Sequence, residues 1–570
     1  MTGPTDLLDG AEDGAATREP INEPLRFAEP PAPIPLARQL DDWLAEHPDW
    51  FAPAPPQAPG EKFVRDPVHG SIVLSTAEAR LLDSGPLQRL RGIFQVGLAW
   101  LAYPSARHSR FEHTLGVRHV AGRILDRLEE GRGRRYRPED CAAVLGAALT
   151  HDVGHGAFSH ASEALIAEHP AYAGQLPPGT RAHEVAGALL VEREPLRSRL
   201  AGMGADARVV AALIRQSDDD RRTLLAAGFP SELLGVISGP FDADKLDYFA
   251  RDSYFSGLPS LVDLDRIMQT MTITPAGELG ITLAGASALE ALLYSRIAMH
   301  AHLYGHQKVL AGESMIRGII EELVGPAVDG RVGSAGRGTL TLRGRGGAPR
   351  AVGFRLVADY LRVEDRAFLV APTDQPHVAD LQDRILRRDM LKRAFSLSYD
   401  QMPLCAAPGA RVDEDAYLRF LARLHEPGQV ERLRWAILRG LPDLRSSDLW
   451  VRATDIPDVL NTDRYVVDRG NRPTHDATMF AGWDRRDALA GAGVPLHPTL
   501  RNYLLLRAKV YVFCPPARRA EVEEHARAAI WHLYMETASA PALSQFAPSA
   551  GELARGARSA PRRRPRPVRA

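Results

Sequence analysis

The sequence predicts a mainly α-helical protein, with a helical core in its first part and a smaller α+β lobe after it. In the first part, apolar residues recur at three- and four-residue spacing in one segment after another, which indicates helices. In the second part, helix-like and strand-like patterns are mixed, as at 521–534 and 507–513. The helices that this spacing predicts in the core span 77–82, 86–98, 114–128, 141–150, 182–191, 207–214, 246–255 and 286–323.

Shifts in composition divide the chain into five segments. Residues 1–60 are rich in proline and alanine and bury too little apolar surface to offset their ordering entropy, so we expect disorder there apart from a short helix at 36–44. Residues 63–74 predict two short strands joined by a turn, and residues 368–372 resemble a strand. The predicted divisions are a disordered segment at 1–60, a core domain at 61–329, a linker or hairpin at 330–350, the α+β lobe at 351–540 and a disordered basic tail at 541–570.

The bulk composition is that of an ordinary globular protein with more than one domain. The chain has 570 residues, 45% of them hydrophobic and 25% charged, and its net charge of −1 excludes a general polycation. Its three cysteines form no CxxC pair, which argues against a disulfide framework and a zinc-thiolate site. No signal peptide is visible and the apolar run at 141–149 is too short to span a bilayer, so we expect a cytoplasmic protein without membrane contact.

Two arginine-rich segments leave alternatives open. Residues 330–350 combine glycine and arginine, which suits either an RNA-binding loop or a flexible hairpin between lobes. Because this segment has no aromatic residue to stack on bases, the hairpin is favoured. Residues 555–570 contain seven arginines and three prolines. This tail either contacts nucleic acid or an acidic partner, or is a solvated extension without function.

Three polar motifs in the core carry the strongest chemical signal: RFEH at 110–113, HDVGHG at 151–156 and DKLDY at 244–248. His151 and Asp152 follow a small apolar helix that is predicted to be buried, where an ionised aspartate is costly unless a cation compensates its charge. Taken alone, the pair could be a capping aspartate beside a core histidine. With the other two motifs it suits a divalent metal ion with nitrogen and oxygen ligands, which can turn water into a nucleophile.

The order of these motifs resembles that of the HD phosphohydrolase superfamily. Residues 62–309 are similar to the deoxynucleoside triphosphate triphosphohydrolases, the group that includes bacterial dGTPases and the SAM-and-HD-domain dNTPase. Besides the His…His-Asp…Asp pattern, DPVHG at 66–70, QRLR at 88–91 and HDVGHGAFSH at 151–160 match in order and spacing. The resemblance covers a little under half of the chain and implies an HD-domain helical core.

The resemblance implies a site for one divalent metal ion, with Mn, Fe, Mg, Zn, Ni and Co as candidates. By position, its ligands are His113, His151, Asp152 and Asp244. The implied catalytic residues are His155, His160, Glu163 and His183. The first of these faces the triphosphate in the family, and the other three protonate or orient the scissile oxygen. A carboxylate three residues after a histidine on a helix can support such an imidazole in acid–base catalysis.

The resemblance also implies residues that bind the substrate. Arg110 and Lys245 are expected to hold phosphate oxygens, the arginine as a planar fork and the lysine as a point charge. The residues expected near the sugar and base are Gln95, Tyr248, Asp252 and Tyr304. At two positions the chain departs from the animal family member: Gly305 replaces a glutamine that reaches the nucleotide, and Val96 replaces a leucine near the 2′ side of the sugar. Base preference and discrimination against ribonucleotides therefore stay open.

Three further residues, Asp83, Gln88 and Arg91, match a regulatory guanine-nucleotide site of the family. This implies activation by GTP or a dNTP, coupled to assembly of a homo-oligomer. The leading hypothesis is hydrolysis of dNTPs to deoxynucleoside and inorganic triphosphate. The alternative is a related HD phosphohydrolase acting on another nucleotide or phosphoester. A hypothesis of another class is a nucleic-acid-binding or nucleotide-sensing protein that uses residues 330–350 and the arginine tail.

Overall fold

The computed structural model describes residues 34–51, 60–168, 176, 180–239, 241–325, 327–328, 331–332, 338–342, 349–407, 409–454, 466–467 and 498–539. The described residues from 35 onward group into one compact unit. Residues 1–33, residues 541–570 and much of the segment 330–350 lie outside the described residues, so the expectations for those parts stay predictions. No helix among the described residues is long and apolar enough to cross a membrane.

Helices build the region before residue 325, as the apolar spacing predicts. They are α1 Leu36–Ala45, α2 Thr76–Leu82, α3 Gly85–Gln88, α4 Arg110–Arg132, α5 Pro138–Thr150, α6 His160–Glu168, α7 Ala182–Val191, α8 Leu196–Gly202, α9 Ala207–Arg215, α10 Asp218–Ala226, α11 Ser231–Ile237, α12 Ala243–Ser256, α13 Leu264–Thr270, α14 Ala286–Met299 and α15 Gln307–Val324. The strands are β1 Lys62–Asp66, β2 Gly70–Leu74, β3 Met271–Ile273 and β4 Leu279–Thr282. The pairs β1–β2 and β3–β4 are antiparallel, and the helix predicted at 36–44 is α1.

The centre of this region is a set of helices in close contact. Helix α4 packs against α5 and α12, and α9 packs against both α5 and α7. Small side chains let α5 approach its neighbours, since a Cβ at Gly146 would lie 2.8 Å from Leu200 Cδ2. This packing brings the start of α4, the end of α5 and the start of α12 to one place in the fold.

After residue 349 the chain adds further helices and a three-stranded antiparallel sheet. The helices are α16 Asp365–Val370, α17 Pro376–Leu386, α18 Glu414–Leu424, α19 Gln429–Leu438, α20 Pro498–Leu506 and α21 Arg519–Ser539. The sheet consists of β9 Lys392–Leu397, β10 Trp450–Ala453 and β12 Val510–Cys514 in the order β10–β12–β9. Short strands outside this sheet are β5 Ala327–Val328, β6 Arg331–Val332 and β7 Leu340–Leu342, which lie before residue 349, and β8 Arg350–Val352 and β11 Val466–Val467, which lie after it. The sheet packs against α15 and α21. A buried ion pair of 2.7 Å between Arg434 and Glu321 joins α19 to α15.

Three predicted elements are wrong in type or extent. Residues 368–372 are not a strand, because α16 covers most of them; a short apolar run does not by itself distinguish a strand from a buried helix. The helix predicted at 86–98 ends at Gln88 and continues as 3₁₀ turns, since Phe94 pairs with Ser109 as an isolated bridge. The helix predicted at 286–323 is interrupted by a π-helix at His300–Tyr304 and by Gly305.

Gly154 lies at the closest contact between α7 and the turn that follows α5. A Cβ at this position would lie 2.1 Å from the carbonyl oxygen of His183 and 2.5 Å from the backbone nitrogen of Gly187. Both atoms belong to backbone, which cannot rotate away as a side chain can. The spacing of α5 and α7 therefore depends on the missing side chain.

We expect Gly154→Ala to lower the free energy of unfolding by about 1–3 kcal/mol or more, because the added methyl overpacks this contact. Gly202→Ala is the matched control, since a Cβ there would meet no atom within 4 Å. Urea unfolding of both variants measures the difference. Equal midpoints for the two variants would show that α7 can move at no cost.

Candidate functional site

The four metal ligands that the resemblance implies lie side by side; we call them the cation cluster. His113 is in the first turn of α4, His151 and Asp152 directly follow α5, and Asp244 is in the first turn of α12. His113 Nε2 is 2.9 Å from Asp244 Oδ1 and 3.4 Å from His151 Nε2. Asp152 reaches within 3.4 Å of His151 Nε2 and 3.9 Å of His113 Nε2. Three helical segments thus bring two imidazoles and two carboxylates together.

The cation cluster fits a divalent metal ion. Nitrogen and carboxylate ligands lie about 2.0–2.2 Å from such an ion, which puts two ligands of one ion roughly 3–4 Å apart. The distances above, from 2.9 to 3.9 Å, are close to that separation. His113, His151 and Asp244 each offer a ligand atom within 4.8 Å of the other two. Two imidazoles with two carboxylates form a donor set that suits several first-row metals.

A helix cap places His113. Ser109 is the N-cap of α4: its side chain accepts a hydrogen bond from the backbone N–H of Phe111, and Glu112 accepts the N–H of Ser109 at 2.8 Å. Such a capping box satisfies donors that the first turn leaves unpaired and fixes where the helix begins. The N–H of Arg110 also donates to the carbonyl of Ile93 at 2.9 Å. The RFEH motif is therefore both a helix start and a source of site residues.

Asp247, to which the sequence analysis assigns no role, orients His113. It accepts hydrogen bonds from His113 Nδ1 at 2.7 Å, from His69 Nε2 at 2.6 Å and from Arg251, which donates to both of its oxygens. Arg251 in turn donates to Asp66 at 2.8 Å. Because Nδ1 of His113 is committed to a carboxylate, Nε2 is the nitrogen left for a metal, an arrangement common behind metal-bound histidines.

Gly116 makes room for this buried network. A Cβ at Gly116 would lie 1.8 Å from Asp247 Oδ1 and 2.4 Å from Arg251 Nη2. The sequence did contain a signal for Asp247, since it lies three residues after Asp244 and four before Arg251, on one face of a helix. Its partner His69 precedes β2, far away in the chain, and only the fold shows that contact.

The buried charges of the cation cluster depend on one another. Burial lowers the pKa of His113, but its hydrogen bonds to Asp244 and Asp247 raise it to about 10. Burial raises the pKa of Asp244, yet His113 holds it below its usual value. Burial acts likewise on Asp152, where Arg110 holds the pKa well below its usual range. Both carboxylates are therefore ionised.

His155, Glu163 and His183 form a second group, the histidine cluster. The rings of His155 and His183 stack with centroids 3.8 Å apart, and Glu163 accepts a hydrogen bond of 2.6 Å from His183 Nδ1. His155 Nε2 is 3.3 Å from Asp152, which connects the two clusters. His160 lies at the edge, with its side chain 72% exposed and 3.6 Å from Glu163. The structure thus brings three predicted catalytic residues together and leaves the fourth at the rim.

A cavity lies beside the histidine cluster, and Tyr360 and Leu361 of the C-terminal region also line it. Burial, with Arg110 and His183 nearby, holds the pKa of His155 well below its usual value, so its imidazole is neutral. Burial raises the pKa of Glu163, but His183 and His160 hold it well below its usual range. An ionised Glu163 therefore supports His183 at the cavity wall.

Arg110 lies between the two clusters. It donates to Asp152 at 2.5 Å and to Ser159 Oγ at 2.7 Å, while its Nη2 is buried without a hydrogen-bond partner among the described residues. Asp152, His155 and His183 offer donor atoms within 4.8 Å of one another. However, a fixed positive charge beside them disfavours a second cation and favours an anion.

Asp252 and Tyr304, which are expected near the sugar, bind each other. The Tyr304 hydroxyl donates to Asp252 at 2.6 Å, and His108 Nε2 donates to its other oxygen at 2.8 Å. Tyr304 ends the π-helix at His300–Tyr304, a local insertion that is frequent at functional sites. Gln95 donates its N–H to the carbonyl of His108, and its own Oε1 is buried without a partner among the described residues. His108 was missed because a single histidine has no spacing signal.

Lys245 and Arg296 are cations on α12 and α14. Lys245 Nζ donates to Asp242 at 2.5 Å and to the carbonyl of Gly239 at 2.9 Å, so its charge is partly neutralised in this structure. Burial raises the pKa of Tyr248 and of Tyr304, and the charge of Arg296 opposes both shifts. Arg296 was not singled out from the sequence, and its Nε is buried with no hydrogen-bond partner in the part of the chain described.

The residues of the implied regulatory site lie at the ends of α2 and α3. Gln88 donates to the last carbonyl of α2 at 2.9 Å and accepts a hydrogen bond of 2.9 Å from Arg91. The guanidinium of Arg91 lies 3.5 Å from the ring centroid of Phe111, and Asp83 is 3.4 Å from Lys62 Nζ. A regulatory role for these residues stays a prediction.

Comparison with known proteins agrees with the motif order. The HD domain profile matches residues 110–246. An uncharacterised protein of Methanocaldococcus jannaschii is 32% identical over 271 residues, which cover 46% of this chain and 50% of that protein. The deoxynucleoside triphosphate triphosphohydrolase of Danio rerio is 29% identical over 277 residues, which cover 45% of this chain and 44% of that protein. The chain thus matches about half the length of such curated relatives.

A solved structure of a hypothetical protein from Aquifex aeolicus shares the fold, with a TM-score of 0.50 at 21% identity. The match covers 82% of this chain and 100% of the Aquifex aeolicus chain. The segment that matches the HD profile contains all four residues of the cation cluster. Residues 110–246 therefore match an HD domain, and a little under half of the chain is similar to the deoxynucleoside triphosphate triphosphohydrolases.

Proposed function

We propose that this protein is a metal-dependent phosphohydrolase that converts deoxynucleoside triphosphates into deoxynucleoside and inorganic triphosphate. The observation that carries the proposal is that Asp152 is shared by the cation cluster and by the group around Arg110 and His155. A place for a cation thus lies directly beside a place for an anion. Relatives named deoxynucleoside triphosphate triphosphohydrolase in Danio rerio and Dictyostelium discoideum support the choice of substrate.

The metal ion would be held by His113, His151, Asp152 and Asp244. When bound, such an ion polarises phosphoryl oxygens and lowers the pKa of a water molecule from about 15.7 toward 7. The protein's contribution is to keep both carboxylates ionised and to direct Nε2 of His113 toward the ion through the Asp247 hydrogen bond. A fixed donor set of this kind needs no rearrangement during the reaction.

Arg110 would hold the phosphate chain. Its side chain is fixed by Ser159 and Asp152, and its Nη2, which meets no hydrogen-bond partner in the described part of the chain, is available to an oxygen of the substrate. A guanidinium held in this way stabilises charge that develops on phosphate in the transition state. Lys245 and Arg296 supply further positive charge, although Lys245 must share its ammonium with Asp242.

His183 is the best-placed proton donor for the departing 5′ oxygen of the deoxynucleoside. Glu163 accepts a hydrogen bond from its Nδ1, which fixes the ring and leaves Nε2 to deliver the proton. A positioned acid of this kind contributes about 10²–10⁴ in rate. His155 stacks on the same ring and is kept neutral, so it acts as a hydrogen-bond partner of phosphate rather than as an acid.

The sugar would bind near Gln95, Tyr248, Asp252 and Tyr304. At Gly305 a Cβ would lie 2.6 Å from the carbonyl of His300, so a glutamine side chain does not fit here without a backbone shift. Base recognition in this chain must therefore use other residues. The implied activation by a nucleotide at Asp83, Gln88 and Arg91, with assembly of a homo-oligomer, is part of the same proposal.

We expect the purified protein to release inorganic triphosphate from dNTPs when supplied with Mn, Mg, Fe or Co, and to lose this activity on chelation. Asp152→Ala should reduce the rate to background, because it removes a metal ligand and the partner of Arg110. Product analysis across dNTPs and NTPs is the measurement. Release of pyrophosphate or phosphate would instead support a related HD phosphohydrolase. Salt-sensitive nucleic-acid binding by Asp152→Ala, without hydrolysis by the wild type, would favour the nucleic-acid hypothesis.

We expect Asp247→Asn to weaken Mn²⁺ binding by about 10–100-fold, because the hydrogen bond that fixes His113 loses its charge. Asp265→Asn is the matched control, since that carboxylate is 76% exposed and pairs with Arg123 at the surface. Titration of Mn²⁺ by electron paramagnetic resonance measures both affinities. The same affinity in the two variants would mean that Asp247 serves only the fold.

We expect Glu163→Gln to lower kcat about 10²-fold with little change in KM, because His183 loses the carboxylate that orients its ring for proton transfer. Glu184→Gln, next to His183 in the sequence and 3.8 Å from Arg181, is the control and should keep wild-type kcat. Steady-state kinetics with a dNTP gives both constants. A Glu163→Gln variant with full kcat would remove His183 from the proposed proton transfer.

A further inference from the structure

Asp365 is a buried carboxylate that none of the roles above uses. It is the first residue of α16, far outside the segment that matches the HD profile, and only 1% of its surface is exposed. One of its oxygens accepts the N–H of Phe158 at 2.7 Å, and the other accepts the N–H of Phe94 at 2.8 Å. Burial raises its pKa to about 7, against the opposing effect of these two N–H groups and of Arg110.

The first hydrogen bond holds an unusual stretch of backbone. Phe158 and Ser159 have φ angles of 54° and 40°, in the left-handed region that residues with a side chain adopt only at a cost. Such a conformation persists when its surroundings fix it. Ser159 then accepts the hydrogen bond of 2.7 Å from Arg110 Nε. Asp365 is thus linked to the side chain of Arg110 through two hydrogen bonds, one from the backbone of Phe158 to Asp365 and one from Arg110 to the adjacent Ser159.

The second hydrogen bond leads to the same arginine through its backbone. Phe94 pairs with Ser109, the N-cap of α4, and the neighbouring Ile93 accepts the N–H of Arg110 at 2.9 Å. The start of α4 therefore rests on the loop that Asp365 holds. One carboxylate fixes both the backbone and the side-chain support of Arg110.

The segment that carries Asp365 is itself anchored. Glu46, directly after α1, pairs with Arg362 at 2.8 Å, and Gln39 accepts the N–H of Ala358 at 3.2 Å. The ring of Phe368 packs edge-on against that of Phe158, with centroids 5.4 Å apart. These contacts hold the segment around Asp365 in place against α1 and Phe158.

We propose that Asp365 is a positioning residue for the site formed by the cation cluster and the histidine cluster. It holds Arg110 in the orientation that reaches Asp152 and keeps Nη2, which has no partner among the described residues, open to an anionic group. This inference rests on the proposed function, because an anionic substrate is what gives Arg110 its role. It assigns the C-terminal region a part in the site: α16 sets the geometry of residues that the HD segment supplies.

The test compares Asp365→Asn with Asp359→Asn. An asparagine at 365 keeps one acceptor oxygen and places an amide donor against the other N–H. Asp359 is the matched control, since it is a buried carboxylate of the same segment that also accepts two backbone N–H groups, those of Arg355 and Leu356, and its bonds stay within residues 355–362. The readouts are hydrogen exchange in peptides covering 93–96 and 157–160, binding of inorganic triphosphate by calorimetry, and kcat and KM with a dNTP.

In Asp365→Asn we expect faster exchange in both peptides, about tenfold weaker triphosphate binding, and a loss of about 10²-fold in kcat/KM that includes a higher KM. A merely structural role would lower the active fraction, and thus apparent kcat, without raising KM. The control should stay within about twofold of wild type in triphosphate affinity and KM.

Two outcomes separate this inference from the proposed function. Exchange and triphosphate affinity of Asp365→Asn equal to those of Asp359→Asn would overturn the positioning role, whatever the wild type hydrolyses. A wild type that is inert toward every nucleotide, while Asp365→Asn exchanges faster in both peptides and binds triphosphate more weakly, would overturn the proposed substrate and support the link from Asp365 to Arg110.

Discussion

Asp247 lies fully buried between His69, His113 and Arg251. Its negative charge holds the imidazole of His113 in the site through a hydrogen bond to Nδ1. A buried carboxylate without partners would be costly, and so would an arginine as deeply buried as Arg251. Each compensates the other, and the Asp66 contact extends the network to β1. The position of His113, and with it the cation cluster, follows from this balance of charges.

The same principle divides the site into two parts. On one side, His113 and His151 face carboxylates whose summed negative charge suits a cation. On the other side, Arg110 brings a positive charge beside neutral His155, which suits an anion. A divalent metal ion is a cation and a triphosphate ester is an anion, so their opposite charges would suit these two parts of the site. The division explains why one buried aspartate, Asp152, can serve both parts.

The helical core was predictable because apolar spacing is a local property of the chain. Helices α5 and α9 are buried on the faces that their apolar residues predict, and the RFEH and HDVGHG motifs lie at helix ends, where glycine and capping residues mark the boundary. The wrong elements have non-local causes. Residues 368–370 belong to a helix because α16 packs Phe368 into the core, and the loop after Gln88 is shaped by the pairing of Phe94 with Ser109.

The sequence by itself determined which residues could carry metal chemistry, since imidazole and carboxylate groups at fixed spacing on helices can be identified without coordinates, and it determined the helical class. Only the tertiary structure decided which other polar groups contact and orient those residues. Asp247, His108, Arg296 and Asp365 meet their partners across long stretches of chain, where no periodicity links the two sides. Periodic patterns report how one element is buried, whereas the pairing of buried charges depends on how separate elements pack together.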